Sequence, residues 1–174
     1  MSMTHKQRLS AALRREPVDR LPTQVNYTAA MGEKMAAHFQ VSLAGLPTLL
    51  DNHLVRVDLS TPERISPDGL SRIDWWGAGH DLAEEGYFIR HSPLAATKDL
   101  DSFDWPDPDA PGLFDQAEKT IRESGKEYFI VPNLGFTLFE RAWSLRGLEQ
   151  FLMDIALDPD YAAELLERIT LTQL

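Results

Sequence analysis

The sequence predicts an α/β fold in which parallel strands alternate with helices and a β-hairpin is inserted between two of them. Three observations predict it. Runs rich in β-branched and aromatic residues, "LPTQVNY" (21–27), "HLVRVDLS" (53–60) and "EYFIV" (127–131), are separated by stretches of helical periodicity. "YFIV" is unbroken and apolar, the pattern of a parallel strand covered on both faces. "SRIDWWG" and "GYFIRHSP" are two shorter β-like runs, separated by "AGHDLAEEG", and read as the hairpin.

From the amino terminus, Thr4 suits an N-cap, and Leu9, Ala12 and Leu13 mark one apolar face of a short helix that Pro17 stops. The same basic, amphipathic stretch has the composition of a transit peptide, but it runs directly into "EPVDRLP", the entry to a strand. After the first strand, a helix is expected over 29–39 with Met31, Met35 and Phe39 on one face, and a shorter one over 43–51. In the second strand Leu54, Arg56 and Asp58 share one side, and Val55, Val57 and Leu59 the other. "DLDSFDWPDPDAPG" is loop, because proline and aspartate crowd it.

A polar helix over 113–124 has Phe114, Ala117 and Ile121 to turn inward, and Gly125 ends it. From 137 onward the pattern is helical. Phe139, Ala142 and Trp143 form one face, and Gly147 is a stop. Leu148, Phe151, Leu152 and Ile155 follow at i, i+3, i+4, i+7. Asp158 caps the last helix, with Pro159 in its first turn and Ala162, Leu165, Leu166 and Ile169 as its buried face.

Composition bounds the function. At 174 residues, 43% hydrophobic and 25% charged, the chain can bury one core. A net charge of −10 with no basic stripe argues against a nucleic-acid partner. Without cysteine there is neither a disulfide framework nor a thiolate metal site, which fits a reducing, cytoplasmic setting. No apolar run has the length of a membrane span. His5, His38, His53, His80 and His91 show no metal-ligand spacing, so no metal site is expected. Trp75, Trp76 and Tyr87 are expected to pack the hairpin, or to edge a pocket for a flat ring.

Strands alternating with helices imply right-handed crossovers and a parallel sheet. Only about three core strands are present, whereas a closed (β/α)8 barrel takes roughly 250 residues. The expectation is the N-terminal part of such a barrel, with residues 1–174 as one portion of a single domain whose C-terminal portion is absent; an open three-stranded sheet is the competing reading.

Five pieces in order, "RLSAALRREPVDRLP", "DNHLVRVDLS", "IDWWG", "SPLAATKDLDSFDWPDPDAP" and "GFTLFERAWSLRGLEQFLMDIALDPD", resemble the uroporphyrinogen decarboxylase family, most of all its divergent branch that includes methyltransferases serving corrinoid proteins. The resemblance implies a barrel with its site at the strands' carboxyl ends. It implies a small-molecule or corrinoid substrate and a homodimer as a permitted assembly. It places no cofactor on these residues; zinc, where members use it, would come from the absent C-terminal part.

Asp58, ending the second strand, matches the family's carboxylate that faces pyrrole nitrogens, and it is the expected catalytic residue. The bland alternative has it capping a helix near "STPERI". Arg56, two residues earlier, would hold a substrate carboxylate or neutralise Asp58. The family's functional tyrosine falls on Arg141 or Trp143 according to the direction of counting, and neither is tyrosine. Trp143 also reads as core, and Glu140 with Arg141 as a solvated face. Where the decarboxylase has an arginine-rich segment, this chain has "NYTAAMGEKMAA", leaving Asn26 and Tyr27 as neutral pocket groups. A polycarboxylate substrate needs fixed cations on burial. The expected activity is therefore methyl transfer to or from a corrinoid or thiol. True uroporphyrinogen decarboxylation and a non-catalytic interaction module are the alternatives.

Overall fold

Thr4 opens the first helix through a capping box: its hydroxyl accepts from the Gln7 amide at 3.1 Å, and the Gln7 side chain accepts from the Thr4 N–H at 3.0 Å. The computed structural model describes residues 2–83 and 88–174; Tyr87 lies outside them. In chain order the helices are α1 (His5–Leu13), α2 (Ala29–Phe39), α3 (Leu46–Leu49), α4 (Asp115–Ser124), α5 (Leu138–Arg146), α6 (Leu148–Leu157) and α7 (Pro159–Gln173). The strands are β1 (Leu54–Val57), β2 (Arg64–Ile65), β3 (Ser71–Ile73), β4 (Gly79–Asp81), β5 (Ile89–His91) and β6 (Phe129–Pro132). Two compact units result, Met1–Asp58 with Asp115–Asn133, and Leu59–Phe114 with Leu134–Leu174. Among the described residues no helix is long and apolar enough to cross a membrane.

The first unit is built on a parallel pair, β1 with β6, in the register Leu54↔Phe129 to Val57↔Pro132. α1 and α4 pack on these strands. The stretch expected as a first strand, 21–27, makes one parallel bridge, Thr23 with Asn52. Pro22 has no N–H to give to a ladder. Beyond the bridge, the Asn52 side chain takes over: its Oδ1 accepts from the Val25 amide at 2.8 Å and its Nδ2 donates to the Val25 carbonyl at 3.1 Å. The face of α1 also differs from expectation. Arg8 and Ala11 are buried while Leu13 is 64% exposed; Arg8 is held by ion pairing with Asp19 and hydrogen bonds to His53 and the Met3 carbonyl. On α2 the buried residues are Gly32 and Ala36, and on α4 Ala117, with Met31, Phe39, Phe114 and Ile121 left exposed.

The second unit carries an antiparallel sheet in the order β2-β3-β4-β5. The two expected hairpin strands do not pair with each other. β4, "GHD", lies in the expected connection and pairs with both neighbours. The cause is local: Asp74 closes a tight turn. Its Oδ1 accepts from the Trp76 and Ala78 amides at 3.0 and 2.9 Å, and Gly77 takes φ +80°, which a side chain would resist. The core below is Trp76, Leu94, Leu100, Ala142, Leu145, Phe151, Tyr161, Ala162, Leu165 and Ile169. α7 starts as expected, with Asp158 accepting from the Tyr161 amide and Pro159 in the first turn. On α6 only Phe151 of the expected apolar face is buried; Leu148, Leu152 and Ile155 are exposed. The molecule is thus mixed α/β with one parallel and one antiparallel sheet, and the described residues close no barrel.

Candidate functional site

Parallel pairing puts the carboxyl ends of neighbouring segments on one edge. In the first unit that edge carries Asn26 and Tyr27 after the Thr23 segment, Asp58 after β1, and Asn133 after β6. Asp58 and Asn133 are at equal rank, since the Asn133 amide donates to the Val57 carbonyl at 2.9 Å. The Asn133 side-chain Nδ2 then donates to Asp58 Oδ1 at 2.5 Å, and Arg56 Nε donates to Oδ2 at 3.0 Å. One amide and one guanidinium therefore aim this carboxylate. Its side chain stays 49% exposed, leaving lone pairs for an outside donor. No helix starts after Asp58, so the capping alternative has nothing to cap; β2 follows instead. Asn26 is exposed, its Oδ1 accepting from Gln24 Nε2 at 3.3 Å. The half-buried Tyr27 ring lies on α2 so closely that a Cβ at Gly32 would meet two ring carbons at 3.1 Å. Asn133 is the site residue that the sequence reading left out. Its signal was its place directly after an apolar strand, the position Asp58 holds on β1.

Arg141 and Trp143 lie in the second unit, on α5. Arg141 is not on a solvated face. It is 8% exposed, donates to Asp74 Oδ2 at 2.8 Å and stands over the Trp76 ring at 4.9 Å. His80 Nε2 meets the same oxygen at 3.0 Å. Burial raises the Asp74 carboxyl, but His80 and Arg141 outweigh it and hold the group below its ordinary value. Burial lowers the Arg141 guanidinium, against the pull of Asp74. Trp143 is half-buried against the core, 6.1 Å from Phe136.

A second cluster lies at the opposite, amino-terminal end of β1. His5, Asp51 and His53 bring ligand-type atoms within 4.8 Å of one another, a juxtaposition absent from the sequence spacing. It is poorly suited to a cation. Arg8, buried, donates to His53 Nε2 at 2.9 Å, which places the ring proton on Nδ1, where the Asp51 carbonyl accepts at 2.8 Å. Asp51 pairs with Arg20, and His5 bridges Asp51 and Glu127 while stacking on Tyr128. With two guanidiniums in place, the donors are already used. The network is a clasp for α1.

That clasp is acid-sensitive. Hydrogen bonds from Arg8 hold the Asp19 carboxyl far below its ordinary 3.8, Arg20 does so for Asp51, and His5 lowers Glu127. Carboxyls lowered on folding contribute fully above their unfolded values, and the contribution is lost as pH falls through the folded ones. The melting temperature is expected to be flat from neutrality to about pH 5 and to fall below about pH 4. Asp51→Asn should flatten that fall in melts followed by circular dichroism. An equally steep fall in the variant would refute the clasp.

Compared with protein-family models, with curated proteins and with solved structures, the chain finds no match.

Proposed function

We propose that the chain is part of an enzyme of the uroporphyrinogen decarboxylase-like kind, with its substrate at the carboxyl ends of adjacent parallel segments and a divergent, methyl-transfer type of activity. The N-terminal arc of a barrel is the finer fold reading that goes with it. One observation supports it: Asp58 directly follows β1 as an exposed carboxylate bonded by Arg56 and by Asn133, which directly follows the paired strand β6. Such an anion accepts N–H donors and stabilises positive charge developing on a ring or an alkylated centre.

The polar balance of that edge favours methyl transfer over decarboxylation. Asn26, Tyr27 and Asn133 carry no charge, and Arg56 is engaged by Asp58. Arg141, the other cation considered, is bonded to Asp74. A substrate with many carboxylates would meet too few free cations. A methyl-corrinoid substrate would supply the methyl group as a cation equivalent and a thiolate substrate would take it with its own electron pair, while Asp58 would stand beside the centre where positive charge develops.

The test uses the natural polypeptide in two assays. Methylcobalamin with a thiol should give a thioether and cob(I)alamin, read by visible absorbance. Uroporphyrinogen should release little carbon dioxide. Efficient carbon dioxide release would overturn the methyl-transfer reading. Inactivity in both assays, in a well-folded sample, would favour the interaction module.

A further inference from the structure

We propose that an aromatic cleft in the second unit binds a small organic cation of the trimethylammonium class. The cleft has a volume of about 510 Å³, within the ~300–1,000 Å³ of small-ligand sites. Trp75, Trp76, Phe103 and Trp105 line it. Their rings meet nearly at right angles: Trp75 and Trp76 at 74° and 6.1 Å, Trp76 and Trp105 at 88° and 6.4 Å, Phe103 and Trp105 at 81° and 4.9 Å. These contacts are edge-to-face, so the rings that line the cleft are set at angles to one another and are not stacked in one plane.

The rings are held before any ligand arrives. The Trp105 indole N–H donates to the Leu100 carbonyl at 2.8 Å. Trp76 is 5% exposed, and its amide is bound to Asp74. Trp76 already carries one cation, the Arg141 guanidinium at 4.9 Å, so the protein uses this chemistry once in the same place.

Charge and hydrogen bonding select the class. Glu63, Asp104 and Asp107 are acidic and exposed at the lining, against Arg64 as its basic member. An anion is therefore disfavoured. A primary ammonium needs acceptors for its N–H groups; the rings offer none, so it would depend on the carboxylates of Glu63, Asp104 and Asp107, which are exposed to water. The Trp105 indole N–H is a donor and is already used, and both Asp74 oxygens are occupied, by two amides and by His80 with Arg141. A trimethylammonium group has no N–H to satisfy and is weakly hydrated, so it loses least on entering. The inference is independent of the proposed function, since it concerns other residues and another unit.

The experiment is a titration of the full chain, at constant ionic strength, with choline chloride, with its neutral isostere 3,3-dimethylbutan-1-ol, and with ethanolamine. Tryptophan fluorescence and calorimetry are the readouts. Choline is expected to saturate the signal, with both comparison compounds at least about tenfold weaker. Trp105→Leu should abolish the response. If that variant loses its cooperative melt, Trp75→Leu, at a half-buried ring, replaces it. Equal binding of the neutral isostere would make the site merely apolar, equal binding of ethanolamine would make it merely acidic, and no saturable choline binding would remove it; each result overturns the proposal.

Discussion

Asp154→Ala is expected to lower the stability of the second unit by roughly 3–5 kcal/mol, because it leaves a buried guanidinium without its anion. Arg146 is 5% exposed. Its Nε donates to Asp154 Oδ2 at 2.6 Å, and one terminal nitrogen donates to the carbonyls of Leu94, Ala95 and Thr97 at 2.7, 3.1 and 3.2 Å. This one side chain ties α5 to α6 and to the 94–97 turn. Lys98 completes the pairing of Asp154 at 2.9 Å and also holds Asp158, the cap of α7. Burial pushes the Asp154 carboxyl up, but hydrogen bonds from Arg146 and Lys98 prevail and keep it below its ordinary value.

At about 2–4 °C per kcal/mol for a chain near this size, the melting temperature should fall by roughly 6–20 °C. Arg146→Met should cost a similar amount by a different route, since three carbonyls lose their donor. Asp154→Asn, which keeps an acceptor but not the charge, should fall between wild type and Asp154→Ala. Differential scanning calorimetry decides it. A shift of about a degree for Asp154→Ala would mean that water reaches the pair and the clamp is weak.

If the proposed methyl-transfer reading holds, Asp58→Asn is expected to cut kcat/KM about 10²–10³-fold while leaving the melting temperature within about a degree. The two halves rest on different facts. The side chain is half exposed and near-isosteric with its replacement, so folding loses little. The variant can still accept from Asn133, but its new amide donors face Arg56, and the negative charge is gone. A group that acts by charge loses its action, whereas one that only ties β1 to β6 keeps it. Activity within twofold of wild type would remove Asp58 from the chemistry.

How much was legible depended on the range of the signal. Thr4, Asp158 and Pro159 act within one helical turn, and their caps stand where the sequence put them. Ala162, Leu165 and Ile169 were correct because a 3.6-residue period survives in any tertiary setting that covers one face. Arg141 was misread for the opposite reason, and Arg8 and Arg146 drew no reading at all. Arg8, Arg141 and Arg146 look like solvent-facing residues on their helices, yet their anions are Asp19, Asp74 and Asp154, at separations of 11, 67 and 8 residues. Strand β4 was hidden because "GHD" has no β preference; the turn closed by Asp74 and the strands on either side make it one.

By itself, the sequence determined the mixed α/β class, the caps of the first and last helices, the parallel character of the 53–60 and 127–131 strands and the strand-end position of Asp58. These follow from periodicity and from groups a few residues apart. Only the tertiary structure decided that Asn133 meets Asp58, that His5 and His53 come together while Arg8 bonds His53, and that four aromatic rings line one cleft. Each of those joins residues distant in the chain, and their contact is fixed by which faces pack together, a property no local pattern encodes.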